Sequence, residues 1–229
     1  MLKTAFEFFL DVLFPKFCLS CRGEGTFLCP HCRDLIQIRA PICFVCERRS
    51  PGGEICDPCK PKTRLRRFIA PLEYHNRLVR ELIHALKYRN LIEIGEILTP
   101  FLVESLKLYQ IEVPPEAILV PIPLHAKRQR ERGYNQSSLI TSVLARELKL
   151  PTDEKLLART KFSKPQMEIK RAEDRLKNVA GVFTASPETR GKRIIVVDDV
   201  STTGATLEEA AKTLKEAGAK QVWAMTLAR

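Results

Sequence analysis

The chain has 229 residues, 45% of them hydrophobic, and a formal net charge of +11 at neutral pH. That is enough apolar material for one main domain plus an accessory module, and no stretch is long enough to span a bilayer, which excludes a polytopic membrane protein. The basic balance favours polyanionic partners or substrates, either nucleic acid or phosphorylated small molecules, with general solubility as the plainer explanation.

Residues 1–14 read MLKTAFEFFLDVLF. Glu7 and Asp11 interrupt the apolar run and no small-residue cleavage site follows, so the segment does not resemble a leader. Leu2, Phe6, Phe9, Leu10 and Leu13 share a helical face, which predicts an amphipathic helix within residues 1–17, packed on the body of the protein. An interfacial membrane helix is the competing reading, but it calls for a more basic polar face. A cytoplasmic protein is expected.

All eight cysteines lie in the first 59 residues, as Cys18/Cys21, Cys29/Cys32, Cys43/Cys46 and Cys56/Cys59. Each Cys-x-x-Cys knuckle presents two thiolates to one tetrahedral metal, so four knuckles suggest two zinc ions. The simplest assignment gives each ion two pairs consecutive in sequence, and an interleaved pairing stays open. Disulfides compete with this reading, yet nothing indicates secretion, and a reducing compartment leaves thiols available to metal. Four thiolates close a zinc site, so the ions should organise folding, with His31 a bystander. The module, residues 18–60, has little apolar content of its own, and metal should supply much of its folding free energy. It runs out into Lys60, Lys62, Arg64, Arg66 and Arg67, a basic stretch suited either to nucleic-acid phosphates or to a solvated linker. Phe27 and Phe44 are the candidates for base stacking there, or for packing the ribbon.

Residues 61–229 are expected to form the main domain. Leu72 to Tyr74 reads as a short strand. Asn76 is placed to cap a helix with Leu78, Leu82 and Leu86 in a stripe beside Val79 and Ile83, and with Arg77, Arg80, Lys87 and Arg89 on the other face. His84, within it, has no catalytic partner nearby in sequence. A second helical pattern spans 92–108, where Pro100 removes a backbone donor and favours a kink. Ala117 to Ile122 is a buried strand that runs into a basic loop with Lys127, Arg128, Arg130, Arg132 and Gly133, before a helix beginning near Ser137. A basic loop at the carboxyl end of a parallel strand suits pyrophosphate; a merely exposed loop is the alternative.

The most informative stretch is IIVVDDVSTTGAT, Ile194 to Thr206. An apolar run without alternation suits a strand buried on both faces, and ligands in open α/β sheets bind beyond the carboxyl ends of such strands. Asp198 and Asp199 sit at that end, able to accept hydrogen bonds from vicinal hydroxyls. The backbone from Thr202 to Thr206, followed by a helix N-terminus, offers a phosphate cradle. The string resembles the ribose-phosphate signature of type I phosphoribosyltransferases, departing at Ser201, where an aliphatic residue is usual.

Together with LVRELIHALKYRN, VPIPLHAKRQRERGYNQ, RAEDRLKNVAGVF, the terminal MTLAR and the cysteine knuckles, it resembles the ComF family over essentially the whole chain. The resemblance implies an α/β type I phosphoribosyltransferase fold, a mostly parallel central sheet flanked by helices, behind a small N-terminal double zinc ribbon. It also implies phosphoribosyl pyrophosphate as ligand, with Mg²⁺. Asp198 and Asp199 would contact the ribose hydroxyls, and Thr202, Thr203, Gly204, Ala205 and Thr206 would hold the 5′-phosphate. Arg128, Arg132 and Gly133 would fall in the pyrophosphate loop, and Lys164, Gln166 and Arg171 in a mobile flap over 160–178, between short strands near Leu156 and Val182. Two functions follow: a phosphoribosyltransferase acting on a nitrogen acceptor, or a ligand-sensing or single-stranded DNA-binding protein of DNA uptake with competence-machinery partners. Type I relatives often form dimers, so a homodimer is compatible with the resemblance.

Overall fold

The computed structural model describes residues 15–161 and 180–229. The helix expected in the first fourteen residues, and the flap candidates Lys164, Gln166 and Arg171, lie outside the described residues.

The described chain begins with two short knuckle-bearing units, the first containing helix α1 (Pro30–Asp34) and the second the 3₁₀ turns Pro51–Gly53 and Asp57–Lys62. Strand β1 (Arg67–Ile69) follows, earlier than the expected Leu72–Tyr74. Pro71, with no N–H to give to a ladder, separates β1 from Leu72, which keeps a single parallel bridge to Ala228. Helix α2 (Arg77–Tyr88) starts where Asn76 Oδ1 accepts the backbone N–H groups of Leu78 at 2.9 Å and Val79 at 3.2 Å. Helix α3 (Glu93–Leu108) runs on through Pro100.

Strand β2 (Ile118–Pro121) leads to the basic stretch, which is not an open loop. Ala126–Arg132 coils into helix α4, capped by His125 Nδ1 on the Lys127 N–H and stopped by Gly133 at φ +77°. Helix α5 (Gln136–Leu148) follows, then a two-stranded antiparallel sheet of β3 (Leu157–Arg159) and β4 (Phe183–Ala185). The last unit is β5 (Arg193–Val200), α6 (Ala205–Glu216) and β6 (Gln221–Ala228).

The main sheet has four parallel strands in the order β1-β6-β5-β2. Side chains alternate across it as strand geometry requires. Ile195, Val197, Trp223, Met225 and Leu227 face a core built with α2, α3 and α5, whereas Ile194, Val196, Val222 and Ala224 face one built with α6 and the β3-β4 pair. Each ribbon joins a different face: Cys18, Leu28, Cys32 and Ile36 belong to the first core, and Ile42, Cys43, Phe44, Ile55 and Cys59 to the second. The ribbons therefore cover both sides of the sheet. The few apolar residues of the cysteine module find their partners in the main domain. Among the described residues, no helix is long and apolar enough to cross a membrane.

Candidate functional site: an acid pair, a phosphate loop and two thiolate clusters

Strand β5 carries its apolar run through Val197 and extends to Val200, so Asp198 and Asp199 lie in the last turn of the ladder rather than after it, with Asp198 opposite Thr226. Successive strand residues point to opposite sides, and the two carboxylates have different neighbours. Asp198 Oδ1 accepts the Ser137 hydroxyl at 2.8 Å and the Asp199 N–H at 2.9 Å. Asp199, 7% exposed, pairs with the Lys87 ammonium at 2.8 Å. Ser137 is in place because Asn135, its neighbour, accepts the Ser137 N–H and donates its own amide to the Ile122 carbonyl at the end of β2.

Burial, and after it the charge of Asp199, pushes the Asp198 carboxyl up to about 7, against the opposing pull of Lys87 and the two hydrogen bonds. For Lys87, burial works against the charge but is outweighed by Asp199, through its charge and its hydrogen bond, and by Asp198. The ammonium is held above the ordinary lysine range. The acid pair thus holds a resident cation and, at neutral pH, a fractional proton.

These groups line a cavity of about 370 Å³ at the carboxyl edge of the sheet. Six residues expected from sequence meet there: Asp198, Asp199, Thr202, Thr206, Arg128 and Arg132. Arg132 stacks on the Tyr88 ring, 5.0 Å from its centroid, which fixes the guanidinium at the rim. Thr203, Gly204 and Ala205 form the turn behind the wall: Thr203 Oγ1 accepts the Ala205 N–H, and Gly204 at φ +77° opens α6. Gly133 ends α4 and does not line the cavity. Lys87, Ser137, Arg159, Tyr74 and Tyr88 line it without having been singled out from sequence. The Lys87 position was readable in one respect, since it falls inside the LVRELIHALKYRN segment, but helical periodicity assigned it to the outer face. Burial of Arg159, and next the charge of Arg128, lowers its guanidinium to about 10, with Asp198 pulling the other way.

The cysteines gather as Cys18/Cys21/Cys29/Cys32 and Cys43/Cys46/Cys56/Cys59, with all four Sγ atoms of each set within 4.8 Å of one another. Pairing is consecutive, and exposed His31 belongs to neither set. The eight thiols are not joined as disulfides. Sγ–Sγ separations of 3.6 Å, seen for Cys21–Cys29, Cys46–Cys56 and Cys43–Cys56, fit a tetrahedral zinc, whose ~2.3 Å bonds put sulfurs roughly 3.8 Å apart. Both donor sets fit closed structural zinc sites.

A double zinc ribbon family model matches residues 9–60, and a phosphoribosyl transferase domain model matches residues 135–229. Competence protein F of Haemophilus influenzae is 30% identical, covering 93% of this chain and 90% of its own. The chain belongs to the ComF family. Other ComF relatives include competence protein ComFC of Bacillus subtilis, 30% identical over 93% of this chain and 84% of its own, and DNA utilization protein YhgH of Salmonella typhi, 29% identical over 92% and 96%. Among solved structures, adenine phosphoribosyltransferase of Leishmania donovani aligns over 62% of this ComF chain and 55% of its own, at 22% identity and a TM-score of 0.35, too distant for any residue to be carried across.

Proposed function

We propose that this protein binds phosphoribosyl pyrophosphate in the cavity at the end of β5 and transfers the phosphoribosyl group to a nitrogen acceptor. The observation that carries the reading is the convergence of two acids, the threonine loop and two arginines on one cavity. In the transfer, the bond from C1 of the ribose to pyrophosphate breaks, its electron pair leaves with pyrophosphate, and the acceptor nitrogen bonds to C1 and gives up its proton to the departing pyrophosphate or to water. Positioning and neutralisation of the departing charge are what such a reaction asks of a protein. Asp198 and Asp199 hold the ribose diol, and the 202–206 backbone takes the 5′-phosphate at the start of α6. Arg128 and Arg132 take up charge on pyrophosphate. The hard oxygens of the acid pair fit Mg²⁺, which when bound would supply further neutralisation of the diphosphate.

Calorimetric titration of the zinc-loaded protein tests this. Saturable binding with Mg²⁺ that requires the pyrophosphate group, absent with ribose 5-phosphate alone and weakened in Asp198→Asn and Asp199→Asn, is the expected result. Unchanged affinity in both variants overturns the pocket assignment.

A second reading, nucleic-acid handling, is favoured by one feature. A cleft of about 340 Å³ at the opposite end of the sheet is lined by Arg64, Arg66, Arg193, Lys215 and Lys220, with no acid among the described lining residues. Arg67 does not line it and stacks on Trp223 at 4.5 Å, and acids just outside the cleft pair with two of the lining cations, Glu116 with Arg193 and Glu54 with Arg66 at 4.0 Å. Competence and DNA utilization are the names borne by the relatives. Single-stranded oligonucleotides should bind with an affinity that falls steeply with salt and drops in an Arg64→Glu/Arg66→Glu variant. Salt-independent binding, or none, removes this reading.

A further inference from the structure

We infer that the second ribbon buttresses the phosphate loop of the phosphoribosyl pocket from behind, with Phe44 as the positioning residue that sets the conformation of the 202–206 loop. This rests on the pocket assignment above. Phe44 follows Cys43 directly in the knuckle, so the backbone that carries it is fixed by a thiolate cluster. Its ring, 7% exposed, lies against the Cα of Gly204: a methyl group built there would come within 2.4 Å of Cζ and 2.8 Å of Cε2. Gly204 has φ +77° and no side chain, and Phe44 fills the space that a side chain would need.

The ring is itself clamped. It meets Phe68 edge to face at 5.2 Å, and the Arg229 guanidinium lies 5.2 Å from each ring centroid. The same guanidinium donates to the Phe44 carbonyl at 2.9 Å and to Glu47 at 2.7 Å. Two further ties bind loop and helix to their flanks. Glu208, in the first turn of α6, accepts the Thr63 hydroxyl and, at 2.9 Å, the Arg64 N–H, both just beyond the ribbon. The Ser201 N–H, at the entrance to the loop, donates to the Ala228 carbonyl at 3.0 Å. A cradle of backbone N–H groups works only in one arrangement, because each donor must point at the same anion. Thiolate cluster, knuckle, ring and glycine form a continuous packed path to that arrangement.

The test uses the zinc-loaded full chain and two readouts: affinity for phosphoribosyl pyrophosphate with Mg²⁺, and amide hydrogen exchange of peptides covering 199–208. Phe44→Leu is compared with Phe101→Leu, an equal truncation in the core on the other face of the sheet. We expect Phe44→Leu to weaken binding roughly tenfold and speed exchange in 199–208, with Phe101→Leu leaving both near the parent at matched stability. Gly204→Ala should lose affinity, and lose less of it in a Phe44→Ala background, the residual loss coming from the left-handed backbone. Additive losses in that cycle, or loop exchange unaltered by Phe44→Leu, overturn the inference. Failure of the parent protein to bind the ligand counts against the pocket assignment instead, while the exchange arm still decides whether the ribbon sets the loop.

Discussion

Asp198 and Asp199 are neighbours in sequence with unequal electrostatics, and the inequality has consequences for pH. Asp198 stands near 7 against an ordinary 3.8. Between those values the unfolded chain releases a proton that the folded chain keeps, so the contribution of Asp198 to stability falls as pH rises from about 4 to about 7 and is constant above. Asp198→Asn should flatten that slope, measured by urea unfolding across the interval. Ligand binding runs the other way: a cation or diol that needs the ionised acid should gain affinity as pH rises toward 7. Lys87 belongs to the same balance. Replacing it with Met leaves the buried Asp199 and the half-buried Asp198 with no opposing ammonium, and stability at neutral pH should drop by about 3 kcal/mol, as for other broken buried pairs. An unchanged denaturation midpoint would show that the pair contributes nothing. Both acids and the threonine loop were legible because adjacent acids after an apolar run and before a Thr/Gly turn make a contiguous pattern. Lys87, Ser137 and Arg159 were not, since each reaches the cavity from a separate element and nothing local marks it.

At the level of elements, the helix caps and strand ends locate the chemistry. The Asn76 side chain takes two of the orphan N–H groups of α2, the helix whose last turn carries Lys87. Asn76→Ala should cost about 1 kcal/mol and be visible in denaturant unfolding. The stripe Leu78, Leu82 and Leu86 gave this helix away, and the Asn gave its start. The basic stretch of 126–132 was harder: with no buried residue in α4, no apolar period announces a helix. Strand β1 was missed because a three-residue strand leaves almost no alternation to read, whereas Leu72 to Tyr74, beyond Pro71, do pair with the chain at Leu227 and Arg229 without extending β1. For the ribbons, spacing favoured consecutive pairs but left interleaving open, and the two thiolate clusters decide for consecutive pairs. Cys56→Ser should release one zinc equivalent in a thiol-titration assay and leave the Cys18/Cys21/Cys29/Cys32 ion bound, since the two sets share no ligand.

Across the whole molecule, the ribbons and the main domain are not separable by packing. Each ribbon contributes buried residues to a different face of one sheet, so both cores are closed in part by residues next to the thiolate clusters. This could not be seen in the sequence, where the cysteine module and the domain look like beads joined by a basic linker. Periodicity reports which face of an element is apolar, not what will cover it. The part of the linker that was expected to meet solvent or phosphate is divided by the fold, with Arg67 on Trp223 and Arg64 and Arg66 at the basic cleft.

The strand order β1-β6-β5-β2 also bears on synthesis. Both outer strands leave the ribosome before the two inner strands that they must flank, and Arg67 waits for Trp223. Until β6 emerges only β2 and β5 of the main sheet can pair and β1 has no neighbour, whereas each thiolate cluster draws its ligands from a short local segment and is complete early. Metal capture is thus the first event that the order of translation permits, and the pocket one of the last. A cell short of zinc would meet the defect long before any substrate did, as nascent chains whose apolar surface has nothing to close against.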